Sequence, residues 1–342
     1  MSGYDACFFC LGIASARMRE DAYRLEGALP EVRDDHGAHR ARDDRGRAPR
    51  RAEAGARERR HQCRAAEQPR TLGSARVGHI LATGHRLEYA WHGPGPDAAP
   101  TLVFLHEGLG SVSTWRDFPA VLADATGCGA LVYSRAGHGG SDPVPLPRTL
   151  RFMHDEALLV LPEVLQAAGV RDAVLVGHSD GGSIALVHAG SATGTSVRAL
   201  VLEAPHVFVE DVTLHSIEAA AESFRSGELR RALERHHGYN VDVAFWGWNR
   251  AWLDPAFRSW NIEEYLPGIR VPVLLIQGEQ DEYGTLRQLD AIEKGCPAPV
   301  QRVVLERCGH APHRDQPERA LAAMTAFVRG RLAGASPATA PQ

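Results

Sequence analysis

Ala173-Val174-Leu175-Val176 runs into Gly177-His178-Ser179-Asp180-Gly181-Gly182, and Ile184-Ala185-Leu186-Val187 follows. The first run reads as a buried strand, and the residues after the glycines carry a helical pattern. A serine in a sharp turn between strand and helix is the setting in which G-x-S-x-G becomes a nucleophile elbow. The two glycines are needed physically. Such a turn forces the serine into strained backbone angles, and bulkier neighbours would clash with the adjoining strand or helix. Ser179 is therefore read as a nucleophile rather than a plain turn residue.

Outward from this turn, strands and helices alternate. Gly78–Ala82 and Arg86–Trp91 read as short strands around Thr83-Gly84, Thr101–His106 as a largely apolar strand, and Ala130–Ser134 as another. Trp115–Thr126 is amphipathic, and Met153–Ala168 has the helical period with Gly169 as its stop signal. Downstream come helix 181–190, strand 198–203, strands Val271–Ile276 and Arg302–Leu305, and helix Pro317–Leu332. This alternation implies an α/β fold, a mostly parallel sheet covered by helices on both faces. Between Pro205 and Gly268 it stops. That stretch reads as a helical, aromatic-rich insert with its own core, placed to act as a lid. Trp246 and Trp248 are its candidate substrate-facing walls.

The first 75 residues have another texture. From Arg33 to Arg70 there is no Val, Ile, Leu, Met, Phe, Tyr or Trp, and about a dozen arginines are interleaved with Asp, Glu, Ala and Gly. Such a stretch cannot bury enough apolar surface to offset its chain entropy. The expected organisation is a disordered Arg-rich extension over 1–75, a folded domain over 76–335 and a flexible tail over 336–342. The extension reads as dispensable or as the product of an upstream start codon; its mixed charges disfavour a nucleic-acid arm. The formal net charge of −4 also argues against nucleic acid as a partner. No apolar run reaches the roughly 20 residues that cross a membrane. Ala6–Ala16 lacks a positive segment before it, so no secretory leader is read and a cytoplasmic location is expected. Of six cysteines, Cys7 and Cys10 form a C-x-x-C that no second pair or histidine cluster completes. No metal and no cofactor are expected. Oligomeric state is not legible.

A serine hydroxyl is a poor nucleophile until a base takes its proton, and the base needs a carboxylate to orient it. Downstream of Ser179, the strand Val271–Ile276 leads to Gln277-Gly278-Glu279-Gln280-Asp281, which places Asp281 just past a strand's carboxyl end. Glu279 and Glu282 compete with it as loop charges, and Glu203 is a second-choice acid. Arg302–Leu305 leads to Glu306-Arg307-Cys308-Gly309-His310-Ala311-Pro312-His313. His310 is the expected base, and His313 the expected support of its loop. The reaction also needs donors for a developing oxyanion. The loop His106-Glu107-Gly108-Leu109-Gly110 can supply the N–H of Gly108, or of Leu109, beside that of Asp180.

With these residues in order, the chain resembles the α/β-hydrolase superfamily over roughly Val77 to Leu332. The resemblance rests on His106–Gly110, Gly137-His138-Gly139-Gly140-Ser141, Gly177–Gly182, Gly278–Asp281 and Gly309-His310. It implies an eight-stranded sheet, a Ser179–Asp281–His310 triad and an oxyanion hole from Asp180 and Gly108. Glu107 stands where the superfamily often has glycine. The Ser-Asp-Gly-Gly form is similar to that of biphenyl-hydrolase-like, valacyclovir-hydrolase-type enzymes, where an acidic residue near the serine favours substrates with an α-amino group. Glu107 and Asp180 could thus form a negative pocket, with Leu109 also lining the substrate; alternatively Asp180 only caps its own helix. The activity implied is hydrolysis of a small-molecule carboxylic ester, lactone or thioester. Carbon–carbon bond hydrolysis of ring-fission products and a non-enzymatic receptor role are the alternatives.

Overall fold

Eight strands form one sheet in the order β1-β2-β4-β3-β5-β6-β7-β8. They belong to a computed structural model that describes residues 75–191 and 196–333. The Arg-rich extension up to residue 74, with Cys7, Cys10 and Cys63, and the tail 336–342 lie outside the described residues. β1 (Arg76–Ala82) and β2 (His85–His92) make an antiparallel hairpin, and β2 pairs antiparallel with β4 (Gly129–Tyr133). The remaining neighbours, β3 (Thr101–Leu105), β5 (Ala173–His178), β6 (Val197–Glu203), β7 (Val273–Gly278) and β8 (Val300–Leu305), are joined in parallel.

Every residue of β3, β4, β5 and β7 is buried, as their unbroken apolar runs require of strands covered on both faces. Successive side chains go to opposite faces. Val103 and Leu105 join one core, while Leu102 and Phe104 join the other. Burying each such aliphatic side chain contributes about 1.5–3 kcal/mol.

Helix α1 is Phe118–Thr126 and closes on left-handed Gly127. The predicted start at Trp115 is shifted because Val112–Trp115 is a 3-10 turn and Arg116 has φ +55. Helix α2 comprises Phe152–Asp155, a π turn over Glu156–Val160, and Leu161–Ala167. The widened turn sits just before Pro162, which has no N–H to give a regular ladder. Helix α3 is Asp180–Gly190. The insert between β6 and β7 contains α4 (Asp211–Arg225), α5 (Glu228–His237) and α6 (Val241–Trp252). Three 3-10 stretches, Gly238–Asn240, Pro255–Ser259 and Glu263–Gly268, complete it. Helices α7 (Arg287–Gly295) and α8 (Pro317–Leu332) complete the layers. Because β3 and β5 through β8 run parallel, the segments following their carboxyl ends gather at one edge of the sheet, where open α/β sheets place their sites.

Candidate active site

Ser179 joins β5 to α3 with φ +53, a region that non-glycine residues rarely adopt. A Cβ at Gly177 would lie 2.5 Å from the carbonyl oxygen of Gly181, and one at Gly181 would collide with the Leu105 carbonyl. Both glycines are therefore required for the turn to form. Its entry is fixed from β6, since the Ser179 N–H donates to the Glu203 carbonyl at 2.9 Å.

Two buried carboxylate–histidine pairs flank this turn. His310 Nδ1 lies 2.8 Å from Asp281 Oδ1, and both side chains are almost fully buried. Asp281 is held by its own loop. Oδ1 accepts from the N–H groups of Tyr283 (2.9 Å) and Gly284 (3.2 Å), and Oδ2 from Gln277 Nε2 (3.0 Å). An acceptor-only carboxylate makes Nδ1 the protonated nitrogen and leaves Nε2 as the basic one. Burial alone would lower the His310 pKa, but the charges of Asp281, Glu282 and Glu107 outweigh it and raise it. The Asp281 carboxyl is held below its ordinary value because His310 and the loop amides outweigh burial. Gly278 lets the two loops meet, since a Cβ there would strike the Cys308 and Gly309 carbonyls.

The second pair is His313 Nδ1 and Glu203 Oε2 at 2.7 Å. Burial lowers the His313 pKa despite Glu203, so this imidazole is neutral and donates to a charged carboxylate. His178 lies between the two histidines, with ring centroids 5.1 Å from His310 and 5.3 Å from His313. Its Nε2 is 2.7 Å from the His310 carbonyl. Of the competing acids, Glu279 is exposed, and burial pushes Glu282 up to about 7.

The loop after β3 is held by its carbonyls. The Glu107 oxygen accepts from Arg135 Nη2 at 2.8 Å, that of Gly108 lies 3.1 Å from His138 Nε2, and that of Leu109 lies 2.9 Å from His237 Nε2. His106 Nε2 accepts from the Arg135 N–H at 3.0 Å. Trp248 rests on Gly108 so closely that a Cβ there would run into the indole. Trp246 is not beside it. Two residues along a helix are about 200° apart, and Trp246 faces Phe224, Arg225 and Arg250 on another side of α6. Of the two tryptophans, Trp248 is the one that meets the loop after β3.

Glu107 and Asp180 are both buried, and each already faces a cation. Glu107 Oε2 is 3.6 Å from His178 Nδ1, and Oε1 is 3.9 Å from Arg314 Nη2. Burial would raise the Glu107 pKa, but His178 and Arg314 hold it well below its ordinary value. Asp180 Oδ1 accepts from Trp252 Nε1 at 3.2 Å, and Oδ2 lies 3.9 Å from Arg135 Nη2. Burial raises its pKa against the opposing pull of Arg135 and Trp252. Each of the two carboxylates thus has an arginine within 4 Å, while the buried Asp180 Oδ2 makes no hydrogen bond. Asp180 is the acidic residue of the first turn of α3, where a carboxylate is favourable, and its side-chain hydrogen bond goes to the insert. Sequence reasoning passed over Arg135, His178 and Trp252. Only Arg135 left a signal, as a charged residue between a buried strand and a glycine-rich turn.

This fold and this arrangement define a hydrolase class. The model of the alpha/beta hydrolase family matches residues 102–324, and the chain belongs to that family. It is 24% identical over 265 residues to the 2-succinyl-6-hydroxy-2,4-cyclohexadiene-1-carboxylate synthase of Salmonella paratyphi C (strain RKS4594), spanning 70% of this chain and 98% of the relative. Among solved structures it is similar to a bacterial membrane phospholipase A (TM-score 0.60, 20% identity, 75% of this chain and 87% of that one). It is also similar to the esterase RhEst1 from Rhodococcus sp. ECU1013 (TM-score 0.56, 22% identity, 74% of this chain and 98% of that one). At such identities the structural likeness speaks for the fold.

Proposed function

We propose that this protein is a serine hydrolase that cleaves a small carboxylic ester, lactone or thioester through an acyl-enzyme. The observation that carries this reading is the buried Asp281–His310 pair at 2.8 Å, on the same sheet edge as the strained Ser179 turn. His310 Nε2 takes the Ser179 proton as Oγ attacks the carbonyl carbon, and Asp281 stabilises the imidazolium that forms. The tetrahedral oxyanion is bound by the N–H of Asp180 and that of Gly108. The carbonyls of the 106–110 loop are engaged by Arg135, His138 and His237, which favours amides that face the site. His310 then returns the proton to the leaving group, and a water activated by the same nitrogen releases the acid. The insert acts as a lid, with Trp248 as its contact with the oxyanion loop. A reducing cytoplasm suits the buried free thiols Cys128, Cys296 and Cys308.

Fluorophosphonate labelling tests this reading. Label should be stoichiometric on the protein and absent from Ser179→Ala; a labelled Ser179→Ala protein sinks the assignment. A panel of p-nitrophenyl, lactone, thioester and aminoacyl esters, with a ring-fission dienoate beside them, then reads the bond cleaved. Aminoacyl esters should show no advantage, because Glu107 and Asp180 already lie beside Arg314 and Arg135.

A further inference from the structure

Asp180 directly follows Ser179 and opens α3, yet its side-chain hydrogen bond goes to the insert rather than to an N–H of its own helix. A carboxylate buried this deeply costs several kcal/mol unless its oxygens find partners. Its Oδ1 finds Trp252 Nε1 at 3.2 Å, on the last residue of α6. Its Oδ2 lies 3.9 Å from Arg135 Nη2, which donates to the Glu107 carbonyl at 2.8 Å. One side chain thus meets the insert directly and, through one arginine, the loop that carries Gly108.

Helix α6 makes the second link itself. Trp248 and Trp252 are four residues apart, so they share one face of the helix. Trp248 rests on Gly108, and Trp252 donates to Asp180. One face of one insert helix therefore touches both of the segments assigned to the oxyanion. The Trp252 ring is held in place by His206, Phe257 and Trp260, with centroids 5.4, 5.1 and 5.7 Å away. Its N–H has little freedom to point elsewhere.

We infer that Asp180 is a positioning residue whose side chain clasps α6 to the nucleophile turn, so that seating the insert and aligning the two oxyanion-binding amides are one event. This rests on the serine-hydrolase reading above. Oxyanion stabilisation depends on donors fixed before the charge develops. The clasp therefore acts on the transition state more than on substrate capture.

The test is Trp252→Phe, which keeps a ring and deletes the donor, alongside Asp180→Asn, Asp180→Ala and the double variant Trp252→Phe/Asp180→Ala. Rates are expressed per active site counted by fluorophosphonate titration, so a loss of folded protein does not register as a loss of rate. Trp252→Phe should lower kcat about tenfold with KM changed less than about threefold. Its affinity for a trifluoromethyl ketone, which forms an oxyanion on the serine, should fall by a similar factor. Asp180→Asn keeps an acceptor and should lose less than Asp180→Ala. The double variant should be no slower than Asp180→Ala, because the bond is already gone. Wild-type kcat and ketone affinity in Trp252→Phe, or losses that multiply in the double variant, overturn the clasp. Should Trp252→Phe not fold, equal losses in Asp180→Asn and Asp180→Ala overturn it as well. If the unmodified protein titrates no sites, the serine-hydrolase reading falls and the clasp with it; titratable sites with an indifferent Trp252→Phe remove the clasp alone.

Discussion

Asp281–His310 and Glu203–His313 are nearly the same object at short range. Each is a buried carboxylate against an imidazole Nδ1, at 2.8 and 2.7 Å. Their surroundings separate them. Three carboxylates act on His310, namely Asp281, Glu282 and Glu107, and its pKa rises despite burial. At His313 burial, joined by His178 and Arg314, outweighs the single carboxylate of Glu203, and its pKa falls. Its ring is also packed against Trp115 and Phe118, with centroids 4.7 and 5.5 Å away. The first imidazole is the one that the proposed function makes the base. The second stays neutral and ties β6 to the loop that bears the first. The same short carboxylate–histidine distance thus goes with opposite pKa shifts, according to the charges and burial around each ring.

The sharpest way to break this contrast is to remove each imidazole. His310→Gln should lower kcat by about 10⁴-fold or more, whereas His313→Gln should stay within about tenfold per titrated site. Comparable losses in steady-state ester hydrolysis would erase the distinction. Next come the carboxylates. Asp281→Asn should cost roughly 10³–10⁴ in kcat, because the amide favours the wrong tautomer. Glu203→Ala should act mainly on stability, by about 3–5 kcal/mol, the typical cost of breaking a buried pair, read from urea midpoints.

Smaller effects come from pH. The base must be neutral to act, and the His310 pKa is raised above its ordinary value of 6.5. Fluorophosphonate labelling rates should therefore fall on acidification with a midpoint above 6.5; a midpoint below it contradicts the assigned surroundings. Asp281 and Glu203 have pKa values depressed by folding, so each contributes stability that is present above the unfolded carboxylate range. That contribution is lost as pH falls through the depressed values. Urea midpoints should decline below about pH 4, and the decline should be shallower in Asp281→Asn and in Glu203→Gln. His310 carries the opposite sign: its contribution is present below its unfolded pKa and is lost as pH rises through the raised one.

Local signals made much of the fold legible. The apolar stretches Ala173–Val176 and Val271–Ile276 located β5 and β7, Gly169 stopped α2, and Pro317–Leu332 matches α8 at both ends. Ser179, Asp281 and His310 were legible because each follows a recognisable strand and accompanies a glycine. The π turn in α2 was not legible, since a proline in a helical pattern does not say how the ladder adjusts. The parting of Trp246 from Trp248 is contained in two steps around a helix, about 200°, once the stretch is known to be one helix. An aromatic-rich stretch read by composition alone carries no phase.

The sequence by itself determined the order of strands and helices, the turn that strains Ser179, and which residue types follow each strand. These are set by neighbours a few positions apart, through φ/ψ limits and the period of apolar side chains. Only the tertiary structure decided that Glu203 belongs to His313, 110 positions away, and that Asp180 belongs to Trp252, 72 positions away. It also decided that Glu107 and Asp180 face the arginines Arg314 and Arg135 within the protein. A buried charge is fixed by whatever packing brings within a few ångströms, and such proximity leaves no trace in local sequence.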